Sequence, residues 1–417
     1  MSQNKTKYNF FFALLLLFPL VTFSQDNTSS PYSKFGLGDL SNIGYGRNLA
    51  LGGTGYGIRG AGSVNIKNPA SLTAIDTLSA LFETGVFGKF TQNKSVELSK
   101  YNKDGNLTHL VLAHRYTPWL MGSYGLMPYS SIGYNFKTFK SIEGENSSVV
   151  TTWKGSGGIN KLFYGLGLKV TKNFSLGGEA AYYFGPIDEK RTSILVVQPD
   201  NPTSIYTSTR YNGFAYKGAF QYTANLGSKG TNLTIGGSFS PEQRFFGTSL
   251  KTIEQSYGSS VVVPVYRKET NIAPMHIPMK YGAGASFTWR GQYLVAADYD
   301  RASWSVNNGP EYIDQEIFSF GIERLPQNQL KYFQRCSYRL GFRYDSGYFK
   351  VKGTPVDDYR LSLGMGFPVQ KTRSTINVTL EAGQRGSNKQ AMLRERYTKL
   401  TVAFSFHDFW FIKRKID

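Results

Sequence analysis

The residue types that most often carry chemistry are few and dispersed in this chain. Its 417 residues include four histidines and one cysteine. His109, His114, His276 and His407 are scattered, and the nearest two, His109 and His114, have opposite strand parity. A metal site needs a cluster of imidazole, thiolate or carboxylate ligands, so none is expected. Cys336 has no disulfide partner and reads as a packed small residue. A hydrolase embedded in a barrel rim would need a His beside a Ser or an acid. Only His276, in or beside a long polar connection, is placed for that, and no enzyme is expected. Gly55-Tyr56-Gly57-Ile58-Arg59-Gly60 has the G-x-G-x-x-G spacing, with Asp76 further on. No apolar strand precedes it, as a dinucleotide site requires. Its glycines are read as allowing close-packed backbone, and no cofactor is expected.

The charged residues are more informative once the elements that carry them are considered. Charged residues are only 18% of the chain, aromatics 15%, and glycines number 45. From about Thr77 onward, apolar and polar residues alternate with period two, the pattern of strands with two unlike faces. Leu162, Tyr164, Leu166, Leu168 and Val170 oppose Phe163, Gly165, Gly167 and Lys169. Tyr359, Leu361, Leu363, Met365 and Phe367 oppose Arg360, Ser362, Gly364 and Gly366. By this parity Lys169, Glu179, Asp298, Glu323, Arg339, Arg343, Arg360 and Glu381 share the polar face. Their first reading is a hydrated, salt-bridged interior; a second is that the basic members hold a substrate carboxylate.

Turn lengths decide what kind of β protein this is. Short connections near Thr117–Trp119, Thr171–Asn173, Gly227–Gly230, Trp289–Gln292 and Pro368–Thr372, and a longer one at Leu325–Lys331, alternate with long polar ones. The long ones fall near Asn93–Asn106, Lys140–Ser147, Asp188–Ser204, Pro241–Val261, Ser303–Glu311, Ser346–Asp357 and Arg385–Ala391. This is the layout of a transmembrane antiparallel β-barrel of about 14 strands with short periplasmic turns and longer outer loops. Lipid cannot satisfy free backbone groups, so a spanning sheet must close. Lys5 and Lys7, the apolar block Phe10–Leu20 and Ser24 read as a signal peptide over 1–24. Residues 25–76 are Gly-rich and irregular and read as a plug in the lower end of the barrel. The barrel itself is expected over 77–406, with a periplasmic tail over 407–417. The formal net charge of +19 comes from dispersed basic residues. It suggests contact with anionic outer-leaflet lipid rather than nucleic acid.

Two motifs add to this. Asn68-Pro69-Ala70 reads as a capped helical turn, with Pro at the first helical position. Met127-Pro128-Tyr129 interrupts the third strand-like segment, Leu120–Phe139. Proline cannot donate to a ladder, so the wall should break there. A small-residue run at Gly52–Gly62 followed by Asn68-Pro69-Ala70, between a signal peptide and about 14 strands, resembles the FadL/TodX family of outer-membrane transporters. Ser30–Leu40 and the tail Trp410–Lys415 resemble Bacteroidota members of that group.

The resemblance implies a bacterial outer-membrane barrel with an N-terminal hatch carrying Asn68, Pro69 and Ala70. It implies a lateral gate at Met127, Pro128 and Tyr129, and passive uptake of hydrophobic small molecules such as long-chain fatty acids. The chain departs from the usual barrel ending, because residues continue past Phe406. Some relatives of the family do not transport and act as partners of an outer-membrane secretion or surface-assembly machine, and that alternative stays open.

Overall fold

The computed structural model describes residues 28–409, apart from 42–43, 77–78, 96–98, 143–146, 197, 228–229, 258–260, 307, 328–330, 371 and 388–391. The expected signal peptide, 1–24, and most of the expected tail, 407–417, lie outside the described residues. The strands are β1 (Asp39–Leu40), β2 (Ser79–Lys94), β3 (Ser99–Arg115), β4 (Leu120–Pro128), β5 (Ser130–Ser141), β6 (Ser148–Gly157) and β7 (Asn160–Lys169). Then come β8 (Phe174–Leu195), β9 (Gln198–Asn225), β10 (Asn232–Ser240), β11 (Gln243–Tyr257), β12 (Val261–Ile277), β13 (Lys280–Trp289) and β14 (Tyr293–Ala302). The last are β15 (Gln315–Arg324), β16 (Ser337–Asp345), β17 (Lys350–Val351), β18 (Thr354–Pro355), β19 (Asp358–Pro368), β20 (Thr375–Arg385) and β21 (Arg394–Phe409).

The closed wall runs β2-β3-β4-β7-β8-β9-β10-β13-β14-β15-β16-β19-β20-β21 and returns to β2 through the Val86↔Val402 ladder. That is a 14-strand antiparallel barrel. The alternation of the sequence is turned inside out relative to a soluble protein. Leu361 and Leu363 are both 57% exposed, while Ser362 between them is 1% exposed. An apolar outer face and a polar inner one are what lipid outside and a packed lumen inside require. β21 continues to Phe409, paired with Ser79, so the barrel extends three residues beyond the expected end at Phe406.

Three of the expected outer loops are largely paired strand. β2 and β3 remain paired to Lys94↔Ser99, β8 and β9 to Leu195↔Gln198, and β11 and β12 to Tyr257↔Val261, whereas β5 and β6 part at Ser141↔Ser148, where the loop Lys140–Ser147 was expected. These stretches lack a continuous apolar face, which hid them from a periodicity reading, but their Thr, Ser, Tyr and Val suit strands. β5, β6, the upper parts of β8 and β9, β11 and β12 form one extension sheet that rises past the barrel on one side.

Residues 28–76 run through the lumen over its whole height, not only its lower end as the sequence suggested. Ser30 Oγ donates to Glu395 at the upper end of β21 (2.6 Å), and Asn102 of β3 donates to the Ser29 carbonyl (3.2 Å). At the other end, Arg115 donates to the Ile75 carbonyl (3.1 Å) beside the short Thr117–Trp119 turn. In between, the backbone lies directly on the wall. A Cβ built on Gly177 of β8 would fall 2.3 Å from the Ala70 nitrogen, and one on Gly57 would fall 2.4 Å from the Ser286 nitrogen.

Candidate functional site

Asn68-Pro69-Ala70 opens a 3-10 helix, Pro69–Ala74, with Pro at its start. The Asn68 side chain accepts from the Ala70 N–H (3.1 Å) and donates to the carbonyls of Tyr56 (3.0 Å) and of Phe220 on β9 (3.0 Å). One residue thus caps the helix, ties two parts of the segment together and fastens them to the wall. In the G-x-G-x-x-G stretch, the N–H groups of Gly55 and Tyr56 donate to Asp298 (2.6 and 3.1 Å). The stretch is packed backbone held by a wall carboxylate.

Most of the charges placed inward by parity are buried and joined to the N-terminal segment or to one another. Asp298 and Asp300 bracket Lys67, at 3.0 and 2.8 Å. Glu323 holds Arg47 (2.6 Å) and Arg339 (2.9 Å), and Arg339 donates on to Asn377 (2.7 Å). Arg343 lies 3.4 Å from Asp345, and Glu381 lies 3.5 Å from Arg360 and 3.4 Å from Lys399. Glu179 holds Lys161 (2.6 Å) and Lys217 (3.3 Å). Lys169 stands apart, exposed at the lower end of β7, because the inward-facing parity continues past the level at which the lumen is packed. Arg47 and Lys67, which sequence reasoning passed over, anchor the segment. Their signal was present: residues 40–75 carry Arg47, Arg59 and Lys67 and no acid.

The third segment breaks where Pro128 predicts. The ladder of β4 with β7 ends at Pro128↔Asn160, and that of β3 with β4 at Leu110↔Leu126. Above this level β5 pairs with β6 and with the two residues of β1, while the wall neighbour recorded for the upper half of β3 is β2. Among the described residues no ladder joins β3 to β5, and the wall is parted between them. The break is covered from inside. The N–H groups of Tyr129 and Ser130 both donate to the Ile159 carbonyl (2.7 and 3.0 Å), and the Ser41 N–H donates to the Tyr129 carbonyl (2.8 Å). Asp39 and Leu40 pair with Ser131 and Ser130. The Tyr129 ring packs on Tyr183, centroids 4.8 Å apart, and its hydroxyl accepts from Lys280 (3.1 Å).

Two cavities meet at this break. The first, about 160 Å³, is lined by Tyr45, Tyr56, Met127, Pro128, Tyr129 and Tyr183 together with Lys67, Lys161, Lys217 and Lys280. The second, about 190 Å³, shares Leu40, Ser41, Tyr45 and Pro128, and reaches Leu107 and Thr108 on β3 and Ser131 on β5. Leu40 and Pro128 thus stand where both cavities approach the parted wall. Above them the segment and the outer loops form an aromatic cover. Phe35 stacks on Phe349 (5.4 Å), and Trp304 packs on Tyr348 (4.8 Å). Burial in this cover pushes the Tyr312 phenol up to about 12 and that of Tyr348 well above its ordinary value. At the outer rim His276 is bonded to Glu242 (2.6 Å).

Residues 7–417 match the family model described as BamG. The chain belongs to the BamG family. In fold, this family member is similar to the Pseudomonas putida toluene transporter TodX, with 14% identity over 89% of this chain and 100% of that one and a TM-score of 0.62. It is also similar to the Ralstonia pickettii toluene transporter TbuX, at 15% identity, 89% and 99% coverage and a TM-score of 0.59. A Pseudomonas aeruginosa FadL homologue aligns at 12% identity, with 89% and 98% coverage and a TM-score of 0.57. A comparison with curated proteins finds no match. At these identities the likeness carries the fold alone: the BamG-family chain is a barrel of the kind seen in the two toluene transporters and the FadL homologue.

Proposed function

We propose that this barrel takes up hydrophobic small molecules passively, with Met127-Pro128-Tyr129 as a lateral gate and residues 25–76 as the hatch that controls it. The observation that carries the reading is the meeting of two internal cavities at Leu40 and Pro128, where β3 and β5 are parted. A molecule lodged among Tyr45, Tyr129 and Tyr183 would have a route sideways into the bilayer once β1 leaves the edge of β5. The lining carries Lys67, Lys161, Lys217, Lys280, Arg301 and Arg343 against Glu179, Asp300 and Asp345, an excess of cations that favours an apolar molecule with an acidic end, such as a long-chain fatty acid. The asparagine turn at Asn68-Pro69-Ala70 is the hinge of the hatch in this reading. The test is a reversible lock. Leu40 and Ser130 are register partners, so Leu40→Cys with Ser130→Cys would bridge β1 to β5. Uptake of a radiolabelled fatty acid should fall under oxidation and return on reduction. Equal uptake in both states would remove the gate.

A second reading is favoured by the family match over residues 7–417. In it the barrel does not transport and serves as a partner in an outer-membrane protein secretion or assembly machine. The buried ion pairs of Arg47 and Lys67 would then hold a permanent plug, and the extension sheet would face the partner. Gentle solubilisation and affinity purification separate the readings: a stoichiometric protein partner with no uptake by the wild type supports the second.

A further inference from the structure

The outward face of the extension sheet carries a feature that neither uptake nor plugging uses. In the barrel this face is apolar and lipid-exposed as far as Phe214 and Phe246, which are 63% and 58% exposed. Higher on the same face its character changes. Lys154 of β6 lies directly opposite Lys190 of β8. The same cross-strand row continues through Tyr206 and Thr252 to Arg267 of β12. Arg210 stands on this face four residues above Phe214, between the aromatic border and the basic row.

Directly opposed side chains in a sheet lie about 5 Å apart at Cβ, and like charges there repel. Among the described residues, Lys154, Lys190, Arg210 and Arg267 enter no ion pair; Lys190 lies over the Tyr206 ring at 4.6 Å. Three acids share the face: Asp188, which accepts from the Ser208 hydroxyl, and Glu269 lie one row below and Glu254 one row above, and among the described residues none of them forms an ion pair with the four cations. A row of unpaired cations just above an aromatic border meets the head-group layer of the outer leaflet.

We propose that this face binds the phosphorylated sugar head group of an outer-leaflet glycolipid. Lys154 and Lys190 share one phosphate, and Arg210 and Arg267 flank it. A phosphate between the two ammonium groups turns a repulsive cross-strand pair into two charge-assisted hydrogen bonds. The proposal rests on the orientation with short turns in the periplasm, but its test on purified protein does not depend on uptake.

The probe is diphosphorylated lipid A, titrated onto the full-length barrel in neutral detergent and read by native mass spectrometry. Lys154→Ala with Lys190→Ala should weaken retention by roughly 10- to 30-fold, on the scale of two basic residues at a lipid surface. Lys154→Arg with Lys190→Arg should restore it. Lys251 and Lys268, also directly opposed but on the inward face, provide the control, and their double alanine variant should bind like wild type. Dephosphorylated lipid A should not distinguish the variants. The proposal is overturned if the outer-face alanine pair binds within about twofold of wild type, if the inward pair weakens binding equally, or if dephosphorylated lipid binds as well.

Discussion

The Lys67 ammonium, carried by the N-terminal segment, lies 2.8 Å from Asp300 of β14, with Asp298 at 3.0 Å on its other side. Both carboxylates belong to the wall, so this ion triad is a bolt between plug and barrel. Removing one partner of a buried pair leaves an uncompensated charge and costs about 3–5 kcal/mol. Lys67→Ala should therefore lower the temperature at which the barrel loses its heat-modifiable gel mobility, and should make residues 44–66 susceptible to added protease. The triple variant Lys67→Met, Asp298→Asn, Asp300→Asn should recover much of the loss. Protease resistance of the single variant equal to wild type would show that the triad does not hold the segment.

Close approach of backbone to backbone gives an independent handle. Gly177→Ala places a methyl 2.3 Å from the Ala70 nitrogen, whereas a Cβ at Gly218 meets nothing within 4 Å. Overpacking of this kind costs about 1–3 kcal/mol. Thermal unfolding should shift down for Gly177→Ala and stay near wild type for Gly218→Ala.

The sequence alternation made the barrel legible. The five short turns lie where turn-length reasoning put them, the sixth connection runs beyond the expected Lys331 through the 3-10 helix Tyr332–Arg335, and inward carboxylates such as Glu323 and Glu381 lie on the expected face. The pairing of the segment was hidden because it depends on contacts between residues hundreds of positions apart. Ser362 illustrates this. Parity assigns it to a polar lumen, yet its hydroxyl donates to the Ala50 carbonyl (3.2 Å) and the residue is fully buried against the segment. The extension sheet was hidden for another reason: both its faces are polar enough to look like loop.

Leu363 and its neighbour make a lipid-facing test. Leu363→Arg puts a charge against hydrocarbon at a cost of about 2–4 kcal/mol. Leu363→Ala removes less, and the heat-modifiable mobility should separate the two. Equal behaviour would mean that this face does not meet lipid.

Orientation can be read in intact cells. Cysteines at Lys100 and Lys190 should react with an impermeant maleimide, and one at Lys172 should not. An epitope inserted before Thr28 should bind antibody from outside, because Ser29 and Ser30 are held at the upper ends of β3 and β21. Labelling at Lys172 alone would invert the barrel.

Pro128→Ala restores a backbone donor at the wall break. If the break is the exit for a transported molecule, uptake should fall while barrel stability holds or rises, since an unpaired polar group facing hydrocarbon costs several kcal/mol. Unchanged uptake in Pro128→Ala, at equal surface level, would place the exit elsewhere.

The passage of residues 28–76 from the upper rim to the lower one limits how the barrel can be made. The segment precedes every wall strand in the chain, and the wall closes only when β21 meets β2. A strand cylinder closed first would have to be threaded afterwards by a peptide with aromatic residues at its leading end. The simpler order is that β21 closes around a segment already lying along β8, β9 and β14, which makes the segment a mandrel on which the barrel is shaped. A chain lacking its first wall contacts would then fail at closure, before any question of gating arises.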